Sequence, residues 1–209
     1  MAKTSKEKSK TYHHGDLKQA LVDGAVRRVE QNGVKGFSLR AVAGEVNVSS
    51  GAPYHHFRDA QALLTAVAER GFRQLNMALN TASEAAGTYP DKLAGIGTAY
   101  VLFALEKPQL FALMRQPEYW TGPDAGALQE ARAATYGALA SVVDGCLPEE
   151  TETARKDACM AAWSFVEGLA LLATDGRLQT LSPDEAPEDI ARRLVGCFSP
   201  HSFSKGDQQ

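Results

Sequence analysis

The stretch Val48-Ser49-Ser50-Gly51-Ala52-Pro53-Tyr54-His55-His56-Phe57 carries more chemistry than any other part of the chain. Two adjacent imidazoles suggest a metal. Neighbouring residues of a helix, however, point about 100° apart, so His55 and His56 do not converge on one ion. Asp59 is the only acidic or thiol residue three or four positions beyond either histidine. No metal or cofactor is therefore expected. The small residues Ser49, Ser50, Gly51 and Ala52 suit a different task, the close approach of a backbone to a large partner. Tyr54, His55 and His56 add hydroxyl and imidazole donors that can reach phosphates or base edges. Pro53 fits the first turn of a helix, where its missing N–H has no intrahelical partner, and its ring offers an apolar face for a thymine methyl. Phe57 is the anchor that would bury this segment against Leu39 and Val42.

The elements around this stretch read as helices. Leu17, Leu21, Ala25 and Val29 form one helical stripe, which Asn32-Gly33 ends. Ser38 is a good N-cap for a short helix with Leu39, Val42, Ala43 and Val46 inward, and a capped N-terminal turn also attracts phosphate. Arg40, one position into that helix, is a candidate contact to a polyanion. Asn47 tolerates the left-handed conformation of a tight turn. Ser49 or Ser50 then caps a third short helix ending near Phe57, and Asp59 caps a long fourth helix with Leu63, Leu64, Val67, Phe72 and Leu75 inward. Short helix, turn, short helix is the pattern of a helix-turn-helix, whose second helix enters the DNA major groove. Further helices are expected over residues 90–105, 108–115, 123–145, 150–174 and 186–198, the first three starting at Pro90, Pro108 and Pro123.

Composition sets the bounds. The 209 residues carry a net charge of −3, but the distribution is uneven. Residues 1–70 hold 11 Lys and Arg against 7 Asp and Glu, and the remainder holds 11 against 18. A basic front on an acidic body suggests that only the front meets a polyanion. No apolar run reaches the roughly 18 residues of a membrane span, and the lysine-rich start is not a secretory signal, so no membrane partner is expected. Cys146, Cys159 and Cys197 share no metal or disulfide spacing, which points to a reducing cytoplasm. A helical enzyme would have to draw on Glu167, His55, Cys159 and Asp175, yet no nucleophile–base spacing or phosphate loop appears.

The fold class is all-α. A flexible basic arm (1–12) precedes a helix-turn-helix head (13–58). A larger helical bundle for ligand binding and dimerisation follows (59–200), then a flexible tail (201–209), with the fourth helix as the joint between head and body. Tyr100, Phe103, Met114, Trp120, Tyr136 and Trp163 are candidates to line an apolar pocket, although each could equally be packing. Tyr119-Trp120 is placed as a lid, and Arg115 or Glu167 would supply orienting polarity. For a homodimer, the stripes Ala158, Ala162, Phe165, Leu169 and Ile190, Leu194, Phe198 would pack as a four-helix interface. A thiol switch through Cys159 or Cys197, or activation in place of repression, would remain within the same DNA-binding class.

The run Ser38-Leu39-Arg40-Ala41-Val42-Ala43, then Val46-Asn47-Val48-Ser49, Gly51-Ala52-Pro53-Tyr54-His55-His56-Phe57 and Leu63-Leu64 resembles the DNA-binding domain of TetR-type repressors. The lead-in Tyr12-His13-His14-Gly15-Asp16-Leu17 fits one branch of that family. The resemblance implies a homodimer with a three-helix DNA-binding head and a C-terminal body that takes a small-molecule effector. It makes Tyr54 and His56 phosphate contacts, and it puts Ser49, Ser50, Ala52, Pro53 and His55 on the recognition face. Three positions depart from the pattern. Asn47 stands where glycine is usual. Ala60 replaces a phosphate-binding lysine, for which Arg58 could compensate. In Trp163-Ser164-Phe165-Val166-Glu167-Gly168, which resembles the Trp…His-Gly segment of the same branch, Glu167 takes the histidine position.

Overall fold

A serine or aspartate before an apolar run starts a helix only if its oxygen reaches the orphan N–H groups of the first turn. That bond forms at the expected places. The Ser38 hydroxyl accepts from the Ala41 N–H at 3.2 Å, and the Asp59 carboxylate accepts from the Ala62 N–H at 2.7 Å. The computed structural model describes residues 14–198, with side chains from Leu17 onward. The arm over 1–12, the Tyr12-His13 lead-in and the tail over 201–209 lie outside the described residues. Among the described residues every regular element is helical: α1 (His14–Asn32), α2 (Leu39–Glu45), a 3-10 turn (Ala52–His55), α3 (Ala60–Glu84), α4 (Tyr89–Glu106), α5 (Pro108–Met114), a second 3-10 turn (Pro117–Tyr119), α6 (Gly126–Cys146), α7 (Glu152–Thr174), α8 (Arg177–Leu181) and α9 (Pro187–Gly196).

The front of the chain forms a small cluster. Leu21, Ala25 and Val29 of α1 are buried with Leu39 and Val42 of α2, Phe57, and Leu63 and Val67 of α3. Gly24 permits the close crossing of α1 over α2, because a Cβ there would stand 2.6 Å from Val46 Cγ1. Gly33 ends α1 with φ of 64°, its N–H bonded to the Val29 carbonyl. Asn47 turns the chain after α2 with φ of 57°, the left-handed conformation expected of it. The same apolar core continues without a break into the body, where α3 packs on α4, α5 and α6, and α4 packs on α7 and α9. α5 also touches α1: Lys107 pairs with Glu30 at 3.4 Å, and Gly33 lies against the Gln109 side chain.

The structure departs from the sequence expectations at four places. The third short helix is a single 3-10 turn over 52–55, because Pro53 has no N–H to give the Ser49 carbonyl. That carbonyl takes the Ala52 N–H instead, and Tyr54 bonds back to Gly51. Neither Ser49 nor Ser50 caps it with a side-chain bond. α6 begins at Gly126 rather than Pro123, since Gly122 at φ of 108° makes a turn through Pro123 that the Ala125 N–H closes. Gly176, at φ of 71°, starts the separate short helix α8 after α7. α7 is also, contrary to the composition reading, long and apolar enough to cross a membrane by length and composition alone. It packs against α4, α6, α8 and α9, with Ala158, Cys159, Ala162, Leu169, Ala170 and Ala173 buried.

The left-handed turn at Asn47 yields a prediction. Asn47→Gly should hold or raise stability, and Asn47→Val should lower it by about 1–2 kcal/mol. Denaturant unfolding of the two variants measures the difference, and equal midpoints would contradict the left-handed assignment.

Candidate nucleic-acid interface and ligand cavity

The 3-10 turn projects the sequence-singled residues from the end of the head. Ser49, Ser50, Gly51, Tyr54 and His55 are exposed, while Ala52 and His56 are half-buried. Tyr54 is 60% exposed, unusual for a large aromatic residue, so its ring and hydroxyl are available to a partner. Ser38 caps α2, and Arg40, two positions further on, is exposed. One assignment is corrected: Pro53 is buried and faces the head. A ring buried in this way packs within the head rather than presenting a face to bases. Phe57 is buried as expected, with Lys18 Nζ 5.9 Å from its ring centre.

The junction with the body is held by charge. Arg58, the candidate replacement for the missing lysine at Ala60, pairs with Asp59 at 3.3 Å and with Asp124 at 3.2 Å. Asp124 belongs to the loop before α6. Nearby, the Gln61 side chain donates to the Glu118 carbonyl at 3.1 Å. Two contacts thus fasten the loop over residues 115–125 to the start of α3.

That loop forms one wall of a cavity of about 410 Å3 enclosed by α3, α4, α6, α7 and α9. Six of the seven predicted lining residues meet there: Tyr100, Met114, Trp120, Tyr136, Trp163 and Glu167. Phe103 does not, being buried in the core between helices. Trp120 is pinned, its indole N–H donating to the Met114 carbonyl at 2.9 Å, whereas Tyr119 is buried outside the lining. Glu167 accepts from Arg115 Nε and from the Tyr100 hydroxyl. Burial first, and then the Glu167 charge, push the Tyr100 pKa upward, so it remains a donor. The residue at the histidine position of the resembling branch is therefore a paired carboxylate.

Sequence reasoning found Tyr136 but missed the rest of the α6 wall. Gln129, Arg132 and Leu139 line the cavity beside it at helical spacing. The periodicity is present in the sequence, but a stripe mixing Gln and Arg with aromatic residues reads as a solvated face. Phe72 of α3, expected in the core, lines the cavity instead.

The predicted dimer stripes are largely internal. Ala158, Ala162, Leu169 and Ile190 are buried within the single chain. Phe165 and Phe198 stack with ring centres 5.2 Å apart and line the cavity, and Leu194 is half-buried. Those stripes face α4 and each other, because a two-layer body needs both α7 and α9 to close over α4. The large apolar side chains that α6 and α7 expose are Tyr136, Met160 and Trp163.

Comparison with known proteins matches these two regions separately. Residues 21–67 match the family profile described as bacterial regulatory proteins, tetR family. Residues 93–198 match the profile described as tetracyclin repressor-like, C-terminal domain. A solved Rhodococcus sp. RHA1 protein of unknown function is 32% identical, with 96% of this chain and 100% of that one covered and a TM-score of 0.74. The HTH-type transcriptional regulator YobS of Bacillus subtilis is 32% identical over 95 residues, which span 45% of this chain and only 49% of that protein. The TetR family regulator PfmR of Thermus thermophilus is 17% identical at a TM-score of 0.63, over 90% of this chain and 99% of that one, a likeness of fold.

The cysteines follow from burial. Cys146 and Cys159 are buried, and desolvation pushes both thiols up, whereas Cys197 is exposed. Native alkylation followed by mass spectrometry should label Cys197 and spare the other two until the protein is denatured. Rapid native labelling of Cys159 would contradict its buried placement.

Proposed function

Because the chain belongs to the TetR family of DNA-binding transcriptional regulators, we propose that it is a cytoplasmic repressor that binds a palindromic operator as a homodimer and is released by a small-molecule effector. The family is one of transcription factors rather than enzymes, which removes the helical-enzyme alternative. In this reading the exposed tip around Ser49, Ser50, Ala52 and His55 enters the major groove. Ser38, Arg40, Tyr54 and His56 hold the phosphates on either side.

The observation that carries the effector half of the reading is the fastening of the cavity wall to the head. Trp120 lines the cavity, and two positions before it the Glu118 carbonyl holds Gln61 at the start of α3. Four positions after it, Asp124 holds Arg58. On the other side, α5 brings Met114 and Arg115 to the cavity and Lys107 to Glu30 of α1. A ligand that displaces Trp120 or α5 acts on α3, which leads from the tip, and on α1, which packs against α3. An exposed ion pair such as Arg58–Asp124 contributes at most about 1 kcal/mol. That suits a coupling of about 1–3 kcal/mol shared among several contacts. Two tips of a dimer reach successive major grooves only when they stand about 34–36 Å apart, so a small change of head angle suffices for release.

Selection of bound sequences from a random duplex pool tests the DNA half. A palindrome with half-sites one helical turn apart is expected, and enrichment of a single asymmetric half-site would sink the dimeric reading. Tyr54→Phe should weaken binding to all duplexes alike, by about 1.5–3 kcal/mol per phosphate bond lost. Gel retardation at several salt concentrations measures it, and an unchanged affinity would remove Tyr54 from the phosphate contacts.

A further inference from the structure

The cavity walls carry three ionisable charges, Arg115, Arg132 and Glu167. Two of them cancel. Glu167 accepts from Arg115 through one carboxylate oxygen and from Tyr100 through the other, so its charge is paired and its two oxygens are both engaged. Arg132 is placed differently. Its guanidinium carbon lies 3.7 Å from the centre of the Trp120 ring, a stacked cation–π arrangement. One of its N–H groups donates to the Gln129 side-chain oxygen at 3.0 Å. The amide nitrogen of the same Gln129 donates to the Trp120 carbonyl, so Gln129 ties the cation to the ring beneath it. Among the described residues no carboxylate pairs with Arg132. Partial burial lowers its pKa, and no neighbouring charge opposes that; a guanidinium nevertheless stays protonated.

A stacked, fixed guanidinium with donors to spare is a fork for a planar anion. Apart from the paired Arg115–Glu167–Tyr100 group, most of the remaining lining is apolar, with Phe72, Leu79, Leu93, Ile96, Val195 and Phe198. Taking the cavity as the effector site proposed above, we infer that the effector is an amphipathic monocarboxylate, its carboxylate on Arg132 beside Trp120 and its hydrocarbon body among these apolar residues. A cationic ligand would add to an unpaired positive charge and would find the one carboxylate in the wall already engaged. A neutral ligand would leave the guanidinium without a counter-charge in a site that the ligand itself has dried. A phosphate dianion would want a second cation, and Arg115 is committed to Glu167.

The chain has two tryptophans, and both line the cavity, so intrinsic fluorescence reads its occupancy directly. The probes are decanoate, decanol, decylammonium and decyl phosphate, which share one tail, titrated into the full chain and into Arg132→Gln and Arg132→Lys. Decanoate should bind at least about tenfold more tightly than decanol or decylammonium, the scale of one charge-assisted pair. It should also bind more tightly than decyl phosphate. Arg132→Gln should bring decanoate down to the affinity of decanol while leaving decanol nearly unchanged. Arg132→Lys, which keeps the charge without the fork, should fall between. The unliganded melting transition of each variant checks that its fold is intact. Equal binding of all four probes, tighter binding of decylammonium or decyl phosphate, or a preference for decanoate that survives Arg132→Gln would overturn the carboxylate assignment and leave the effector cavity standing. Failure of every probe to perturb the tryptophans would overturn both.

Discussion

A straight helix cannot serve two cores without making them one body. α3 runs 25 residues, about 37 Å at helical rise, with Leu63 and Val67 in the head cluster and Leu75 and Leu79 in the body. The head therefore has no flexible hinge beneath it. Its direction is set where α3 meets α4, α5 and α6, and in the proposed mechanism a shift of those contacts would reach the tip through the whole rod. A message from body to head need not travel along a chain of side chains, because repacking the far half of one helix is enough.

The loop over residues 115–125 sits where that leverage is greatest. It contributes Trp120 to the cavity and fastens Gln61 and Arg58 at the end of α3 nearest the tip. Each fastening is solvent-exposed. The internal polar group of Arg115, Glu167 and Tyr100 is of another kind. It is satisfied within itself and joins α5, α7 and α4 across the cavity. Such a group holds three helices in register around the cavity.

Much of this was legible in the residues. Ser38 and Asp59 cap as their types and positions demand, and Asn47 takes the left-handed turn that few other non-glycine residues accept. Leu21, Ala25, Val29, Leu39, Val42 and Phe57 bury as their periodicity requires. These are local properties, decided within one or two turns of chain. The errors occur where local and distant requirements compete. Pro53 is permitted in a first turn, but only tertiary packing decides that its ring is buried. The stripes of α7 and α9 are apolar on either reading, and periodicity alone does not distinguish a face turned to a second copy from one turned to α4.

The α6 wall marks the boundary most clearly. Gln129 and Arg132 are ordinary surface residues by type, and their spacing is that of any amphipathic helix. They line the cavity because α6 brings this stripe to Trp120, Tyr100, Trp163 and Glu167, residues of other elements. The sequence by itself determined the helices, their caps, the exposed tip and the family, since each is written in neighbouring residues. Tertiary structure alone decided which charges are cancelled and which is left over, because charge pairing depends on distances between helices that lie far apart in the chain.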